Sequence, residues 1–189
     1  MLMQGSDEQL VPAVQAGDPD AATELVDRHY AAIYAFLRRL SGTDAEAADL
    51  TQRTFSRVWT AIARFGGRST LKSWLHGIAR HVWLDWLRQN HREVAVAETW
   101  WNDLADSAPA PDETASRSDL STTLYAAVDD LPEELRTTVH LHYYQGLTLQ
   151  DTADSLEIAT STVKHRLRTA IGHLRTALAD PTPSATVLR

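Results

Sequence analysis

Four cations and no acid lie between residues 160 and 177, in a stretch with the period of a helix. If Val163 faces inward, a rotation of about 100° per residue turns a polar set outward: Ser161, His165, Arg168 and Gly172, flanked by Lys164, Arg166 and Thr169. Polar groups on such a face can reach the edges of bases, while the cations beside them hold phosphates. The pattern therefore favours DNA binding over its alternative, an ordinary helical hairpin with a solvated face.

A second basic segment extends from residue 64 to residue 92 and carries six cations against one acid, hence a net charge of +5. Lys72, His76 and Arg80 recur every four residues along one side of a predicted helix, and Trp83 extends that side. Cations beside an accessible aromatic ring can hold a nucleic-acid strand and stack an unpaired base. For Trp83 the alternative, burial in the core, stays open.

The side chains that support catalysis do not form a recognisable set. The chain has no cysteine, which excludes thiol catalysis, thiolate metal sites and disulfides. His140 and His142 are two residues apart and do not share a helix face, and no HExxH, GxSxG or Gly-rich phosphate loop occurs. The sequence predicts no active site, metal or cofactor. A hydrolase with scattered His and Asp residues is the enzymatic alternative.

The overall composition is that of a globular protein. The 189 residues carry a net charge of −7 and 43% of them are hydrophobic, which excludes a uniformly basic DNA-packaging protein but not binding through a local patch. No apolar run approaches the length of a membrane span, and residues 1–10 lack the basic and apolar regions of a signal peptide. We therefore expect a cytoplasmic protein without membrane insertion.

Helices must present these basic faces, and the hydrophobic periodicity predicts helices throughout. Apolar residues recur every three to four positions over residues 26–40, 44–62, 71–87 and 124–178. Breaks occur at Gly66-Gly67, Pro132 and Gly146. A short helix over residues 149–156, a tight turn, and a longer helix capped by Thr160 or Ser161 have the helix-turn-helix pattern.

The charge distribution divides this all-α chain into two small helical domains. Residues 93–120 carry seven acids against one Arg and contain a Pro-Ala-Pro-like stretch without a sustained period, which predicts a linker. The predicted domains therefore cover residues 1–92 and 121–180, and residues 181–189 form a frayed tail.

Three groups of motifs carry a family resemblance. Residues 49–59, DLTQRTFSRVW, resemble the signature DLxQETFLRVW. FGGRSTLKSWL at 65–75 and IAR at 78–80 resemble FxGRSxLRTWLxxIAR. LPEELR at 131–136, GLT at 146–148 and TVKHRL at 162–167 resemble LPEExR, GLS and GTVKSRL. In this order, over residues 20–179, the chain resembles the extracytoplasmic-function (ECF) sigma factors, the small two-domain class of the sigma-70 family.

The resemblance implies a role for each helical segment. The family's region 2.2, which docks on the β′ clamp of core RNA polymerase, matches Asp49, Gln52, Phe55 and Trp59. Regions 2.3 and 2.4 melt promoter DNA and read the −10 element, and they match Arg64, Arg68, Lys72, His76, Arg80, His81, Trp83 and Arg88. Region 4 meets the β flap and reads the −35 element, and it matches Ser161, Thr162, Lys164, His165, Arg166 and Arg168.

The implied function is that of a promoter-specificity subunit, which is not an enzyme by itself and is usually paired with an anti-sigma factor. The acidic linker resembles the segment that occupies the RNA path of the polymerase, where its charge would mimic RNA. The main alternative is a conventional helix-turn-helix regulator with a sensory N-terminal domain.

Several positions depart from the family pattern. Arg53 stands where an acid is usual, which alters the charge of the clamp contact. His81 replaces an Asn beside the −10 reader, and His165 replaces a Ser on the reading face. Glu157, Ala159 and Ser161 replace the usual Gly, Pro and Gly of the turn. The fold is expected to tolerate these changes, but the promoter sequence cannot be transferred.

Overall fold

The computed structural model describes residues 6–94 and 123–179, and the regular elements in these ranges are helices. The first range contains α1 (Asp7–Gln15), α2 (Pro19–Ser41), α3 (Asp44–Ala61), a 3-10 helix (Ile62–Arg64) and α4 (Leu71–Val94). The second contains α5 (123–129), α6 (Glu133–Val139), a π-helical turn (His140–Tyr144), α7 (Leu149–Leu156) and α8 (Thr160–Ala179). The predicted all-α fold class is confirmed. The predicted linker beyond residue 94 and the predicted tail lie outside the described residues.

Local capping defines both ends of α2 and the start of α3. The Asp18 carboxylate accepts hydrogen bonds from the backbone N–H groups of Asp20 and Ala21 at the start of α2. At the other end, Gly42 adopts a left-handed φ of 89°, a conformation that glycine tolerates without a Cβ clash. Thr43 then caps α3 by accepting from the Glu46 N–H. This two-residue connection lets the apolar faces of α2 and α3 pack together.

The N-terminal unit is a helical bundle around one apolar core. Its fully buried side chains come from α2, α3 and α4: Leu25, Ile33, Phe36, Leu37, Leu50, Val58, Leu75 and Trp83. Helix α1, which the sequence analysis did not predict, adds Leu10, Val11 and Val14 to this core. Its apolar stripe is short and is interrupted by Pro12, so the pattern is weak in the sequence.

The C-terminal unit has the predicted helix-turn-helix, formed by α7 and α8. Thr148 and Asp151 form a capping box at the start of α7. The turn contains Glu157 in the left-handed region, at a φ of 56°. Helix α8 begins at Thr160, so the residue before it, Ala159, occupies the cap position that was predicted for Thr160 or Ser161. Val163, Leu167 and Ala170 pack inward with Val128, Val139 and Ala153.

The two units are packed against each other, an arrangement that the sequence left open. Ser73 and Ser155 are both buried, and their hydroxyl oxygens are 3.1 Å apart. A Cβ atom on Gly77 would lie 3.5 Å from the Ser155 carbonyl oxygen, so glycine there permits close contact of α4 with α7. We call this contact, formed by Ser73 and Gly77 with Asp151 and Ser155, the interdomain interface.

Contacts around the interdomain interface extend it on both sides. Three buried side chains of the C-terminal unit join the N-terminal core: Leu141, Leu147 and Leu156. Thr70 donates to the Asp151 carboxylate at 2.7 Å. The Arg39 guanidinium lies over the ring of Tyr144, 4.1 Å from its centroid. The interface therefore combines apolar burial with hydrogen bonds and a cation–π contact.

Candidate functional site

An open groove of about 640 Å³ lies on the outer side of the N-terminal unit, between α2 and α3. Its lining residues are Val26, Tyr30, Ala48, Asp49, Gln52, Phe55, Ser56 and Trp59; we call it the docking groove. Trp59 is 40% exposed and Tyr30 is 43% exposed, whereas Phe55 is buried beneath them and stacks on Tyr30 at 6.0 Å. Large exposed rings beside polar groups are typical of a surface that binds another protein.

The structure brings together all four residues predicted for polymerase binding, since Asp49, Gln52, Phe55 and Trp59 all line the docking groove. Tyr30 and Val26 were interpreted only as part of the apolar stripe of α2, and sequence reasoning missed their place in the groove. The sequence does hint at them, because the apolar stripe of α2 is wider than packing against one helix requires. The sequence cannot show which edge of that stripe stays exposed.

One edge of the docking groove is partly neutralised. The Arg53 guanidinium lies 2.7 Å from the Asp49 carboxylate, one helical turn away, and both side chains are about half exposed. Such an exposed pair adds little to stability because water and salt screen it. It does, however, lower the negative charge that Asp49 presents to a partner, in line with the altered charge predicted from Arg53.

The basic segment of α4 and the preceding loop is divided by the C-terminal unit. Arg64, Arg68 and Arg88 are exposed. Lys72 instead donates its ammonium to the Gln145 carbonyl oxygen at 2.5 Å. Half of the residues expected to face promoter DNA are thus accessible, counting the partly exposed His81, whereas the others lie partly or wholly under other elements.

Arg80 and His81 lie at the border of that covered region. Burial lowers the pKa of the Arg80 guanidinium from its ordinary value, and the carboxylates of Glu133 and Glu157 partly offset this effect. His81 is about half exposed, with its Nε2 atom 3.9 Å from the Glu157 carboxylate. Both side chains therefore face acidic groups of the C-terminal unit in this arrangement.

For two residues, His76 and Trp83, the prediction of an exposed side chain facing DNA is wrong. His76 is 1% exposed: its Nδ1 bonds with the Lys72 carbonyl oxygen at 2.8 Å, and its ring meets the edge of Phe36. Trp83 is fully buried in the N-terminal core. It follows Leu75 and Ala79 at intervals of four, so these three residues share the inward face of α4.

The burial of Trp83 decides between the two alternatives that the sequence left open. A buried indole cannot stack on an unpaired base without leaving the core. Replacing such a side chain with Ala removes packing worth about 3–5 kcal/mol. Loss of Trp83 would therefore unfold or loosen the bundle before it tested any contact with DNA.

Helix α8, the second helix of the helix-turn-helix, presents the polar face that its period predicted. Ser161, Lys164, His165 and Arg168 are exposed, and Thr162 is partly exposed. Arg166 differs from them because its side chain is 16% exposed and lies 2.5 Å from the Glu134 carboxylate of α6. Arg166 thus braces α8 against α6, and the predicted DNA contact of this residue competes with that ion pair.

Across residues 6–94 and 123–179, no cluster of three or more His, Asp or Glu side chains is arranged to hold a metal ion. None of the described helices is both long and apolar enough to cross a membrane.

Comparison with known families accounts for both units. The sequence profile of Sigma-70 region 2 matches residues 25–93, and that of Sigma-70 region 4 matches residues 127–176. Both halves of the chain thus fall within the sigma-70 class.

Similarity to individual proteins indicates which class of sigma-70 factor the chain belongs to. The chain is 34% identical over 144 residues to the ECF RNA polymerase sigma factor SigX of Bacillus subtilis, covering 74% of each protein. It is 32% identical over 180 residues to the ECF sigma factor SigE of Mycolicibacterium smegmatis, covering 92% of this chain and 70% of that one. The sigma factor RpoE of Bartonella quintana, co-crystallised with the anti-sigma factor NepR, matches with 25% identity and a TM-score of 0.69 over 85% of this chain and 98% of RpoE.

The chain belongs to the ECF sigma factors of the sigma-70 family. It is an RNA polymerase sigma factor that acts in transcription initiation, and the alternative of a conventional helix-turn-helix regulator is not favoured.

Proposed function

We propose that the docking groove binds core RNA polymerase, that α4 with its preceding loop engages the −10 region, and that α8 reads the −35 element. The observation that carries this proposal is the docking groove, where the four residues selected from the sequence line one surface together with the exposed ring of Tyr30. The chain would act in the cytoplasm as a specificity factor and not as an enzyme.

The proposed polymerase contact is tested by replacing Asp49 and Gln52 together with Ala. Both side chains are exposed on the groove rim and make no core contact, so the expected result is weaker binding to core polymerase, by about tenfold, with unchanged helicity. The measurement is the affinity for core polymerase, with circular dichroism as a check of the fold. The matched control is Thr60→Ala, at an exposed position of the same helix outside the groove. Unchanged affinity in the double variant would reject this face as the polymerase contact.

The −35 contact predicts different behaviour for two exposed cations of α8. Arg168→Ala should cost about 1–3 kcal/mol on a matched promoter and much less on a mismatched one, if Arg168 contacts a base edge in bidentate fashion. Lys164→Ala, nearer the phosphates, should weaken binding on all sequences alike and reduce its salt dependence. Binding of both variants to matched and mismatched −35 fragments distinguishes the roles. Equal losses on both fragments would remove the base contact of Arg168.

We further propose that the interdomain interface must open before promoter melting. Lys72 is covered by the C-terminal unit and Arg80 is only partly exposed in the packed arrangement, whereas the docking groove lies exposed on α2 and α3. The packed chain can therefore meet core polymerase first and would have to separate its two units to place α4 on DNA.

An anti-sigma factor is a proposed partner, supported by the likeness to RpoE in its complex with NepR. A protein that bound both units across the interdomain interface would favour the packed arrangement and delay promoter binding, since a ligand shifts a population toward the state that it binds better.

A further inference from the structure

Helix α1 makes a specific contact that neither the sequence motifs nor the family profiles cover, since the region 2 match begins only at residue 25. The Gln15 side-chain amide, at the last residue of α1, donates to the Ile62 carbonyl oxygen at 2.9 Å and to the Phe65 carbonyl oxygen at 3.0 Å. These partners are 47 and 50 residues away along the chain. One amide thus joins both ends of the turn that leads into the loop before α4.

That loop, residues 65–70, has few other restraints. A Cβ atom built on Gly66 or Gly67 would meet nothing within 4 Å, and Arg68 is exposed. The Phe65 ring packs on Trp74 at 4.8 Å, which holds the beginning of the loop. At its end, the Thr70 hydroxyl bonds to Asp151 of the C-terminal unit. The last contact exists only while the two units are packed together.

The attachment of α1 does not require this amide. Leu10, Val11 and Val14 already bury the apolar face of α1 in the core, whereas Gln15 is exposed. The two hydrogen bonds instead define where the chain leaves the 3-10 helix and enters the loop. When the units separate and Thr70 loses Asp151, the end of the loop stays joined to α4, because the Ser73 N–H donates to the Thr70 hydroxyl. The start of the loop is then held by the Phe65–Trp74 contact, by the Phe65 N–H bond to the Ile62 carbonyl and by Gln15, which is the restraint that comes from α1.

We infer that Gln15 is a positioning residue for promoter melting, because its amide holds the start of loop 65–70 in the place from which Arg68 and the first turn of α4 meet the opened strand. The inference rests on the proposed role of this loop at the −10 region. It adds a residue outside the matched family region to the promoter-opening apparatus.

The test uses holoenzyme reconstituted from the full chain and core polymerase. Gln15→Ala should slow open-complex formation by about five- to tenfold, the factor expected for the loss of about one net hydrogen bond. Gln15→Glu should slow it further, because a carboxylate cannot donate to the two carbonyl oxygens and is repelled by them. Both variants should discriminate less between matched and singly substituted −10 elements, and should bind core polymerase normally. Permanganate reactivity of unpaired thymines gives the opening rate.

Three comparison variants separate the possible outcomes. Gln9→Ala removes a glutamine of the same helix that bonds only locally to the Ser6 N–H, and Val14→Ala loosens the packing of α1 without touching the loop. The positioning role is refuted, and the proposed function stands, if Gln9→Ala or Val14→Ala slows opening as much as Gln15→Ala. The same holds if the Gln15 variants open promoters normally while Arg68→Ala does not. If Arg68→Ala also opens promoters normally, the role of the loop at the −10 region fails, and the inference fails with it.

Discussion

A chain cross-linked across the interdomain interface is expected to bind core RNA polymerase and yet leave promoter DNA unmelted. The cross-link is a disulfide between Ser73→Cys and Ser155→Cys. The two hydroxyl oxygens are 3.1 Å apart and both residues are buried, so the two thiols would lie next to each other at these positions. The chain has no cysteine of its own, so no other disulfide can form within the monomer.

The expected loss of promoter opening on oxidation is at least about 100-fold, because a covalent link removes nearly all of the open population. The docking groove remains exposed, so the oxidised protein should still bind core polymerase, with weaker affinity where contacts of the C-terminal unit contribute. Reduction should restore opening. The measurements are permanganate footprinting and core affinity on the same samples, before and after reductant.

The single variants Ser73→Cys and Ser155→Cys are the controls for substitution alone, and oxidant should not change their activity. Promoter melting by the fully oxidised double variant at the reduced rate would contradict the requirement for opening. Failure of the two thiols to form a disulfide in the folded protein would contradict the packed arrangement itself.

The second large effect is expected on acidification. Burial lowers the pKa of His140 to about 4, and the Arg39 and Arg136 guanidinium groups act in the same direction. Burial also lowers the pKa of His76 to about 4; the charges of Lys72 and His29 act in the same direction, and hydrogen bonds to the Lys72 carbonyl and the Gln145 side chain offset only part of this effect. Both rings are therefore neutral in the folded protein, while an unfolded histidine has a pKa of about 6.5.

The sign of the pH dependence follows from these directions. Below pH 6.5 the unfolded chain binds protons at these two histidines, whereas the folded chain keeps both rings neutral. The free energy of unfolding is therefore highest above pH 6.5 and decreases as the pH falls toward 4. Each histidine should cost about 2 kcal/mol of unfolding free energy by pH 5. Urea unfolding at several pH values measures this slope.

Replacement of His140 with Leu isolates one of the two contributions. Among the residues that the structure describes, neither ring nitrogen of His140 has a hydrogen-bond partner, so an apolar side chain loses no such bond there. As the pH falls, the variant should become more stable than the unmodified protein. Its unfolding free energy should depend less steeply on pH, by the contribution of one histidine. His173→Leu, at an exposed position of α8, is the matched control. Parallel pH profiles for His140→Leu and the unmodified protein would show that His140 does not carry the effect.

The helices and their polar faces could be predicted from the sequence because they depend on local information. Asp44 and Leu71 begin α3 and α4 where the apolar period and the preceding breaks indicated. The exposed residues Ser161, His165 and Arg168 follow from the rotation of about 100° per residue once Val163 is inward. The motif of residues 49–59 likewise identified Asp49, Gln52, Phe55 and Trp59 of the docking groove, but not Tyr30 from α2.

Tertiary structure alone decided what covers each face. Periodicity relates residues on one helix, so it aligned His76 with Lys72 and Arg80 but could not show that α2 and the C-terminal unit enclose that side. On α4, Trp83 lies between the apolar stripe of Leu75 and Ala79 and the stripe that carries the cations. The packing of the bundle buries Trp83 with the apolar stripe. Arg166 pairs with Glu134, and Gln15 with Ile62 and Phe65, across 32 to 50 residues of chain. Contacts over such separations depend on how whole helices dock, and that free energy comes from many side chains at once and not from the spacing within any one segment.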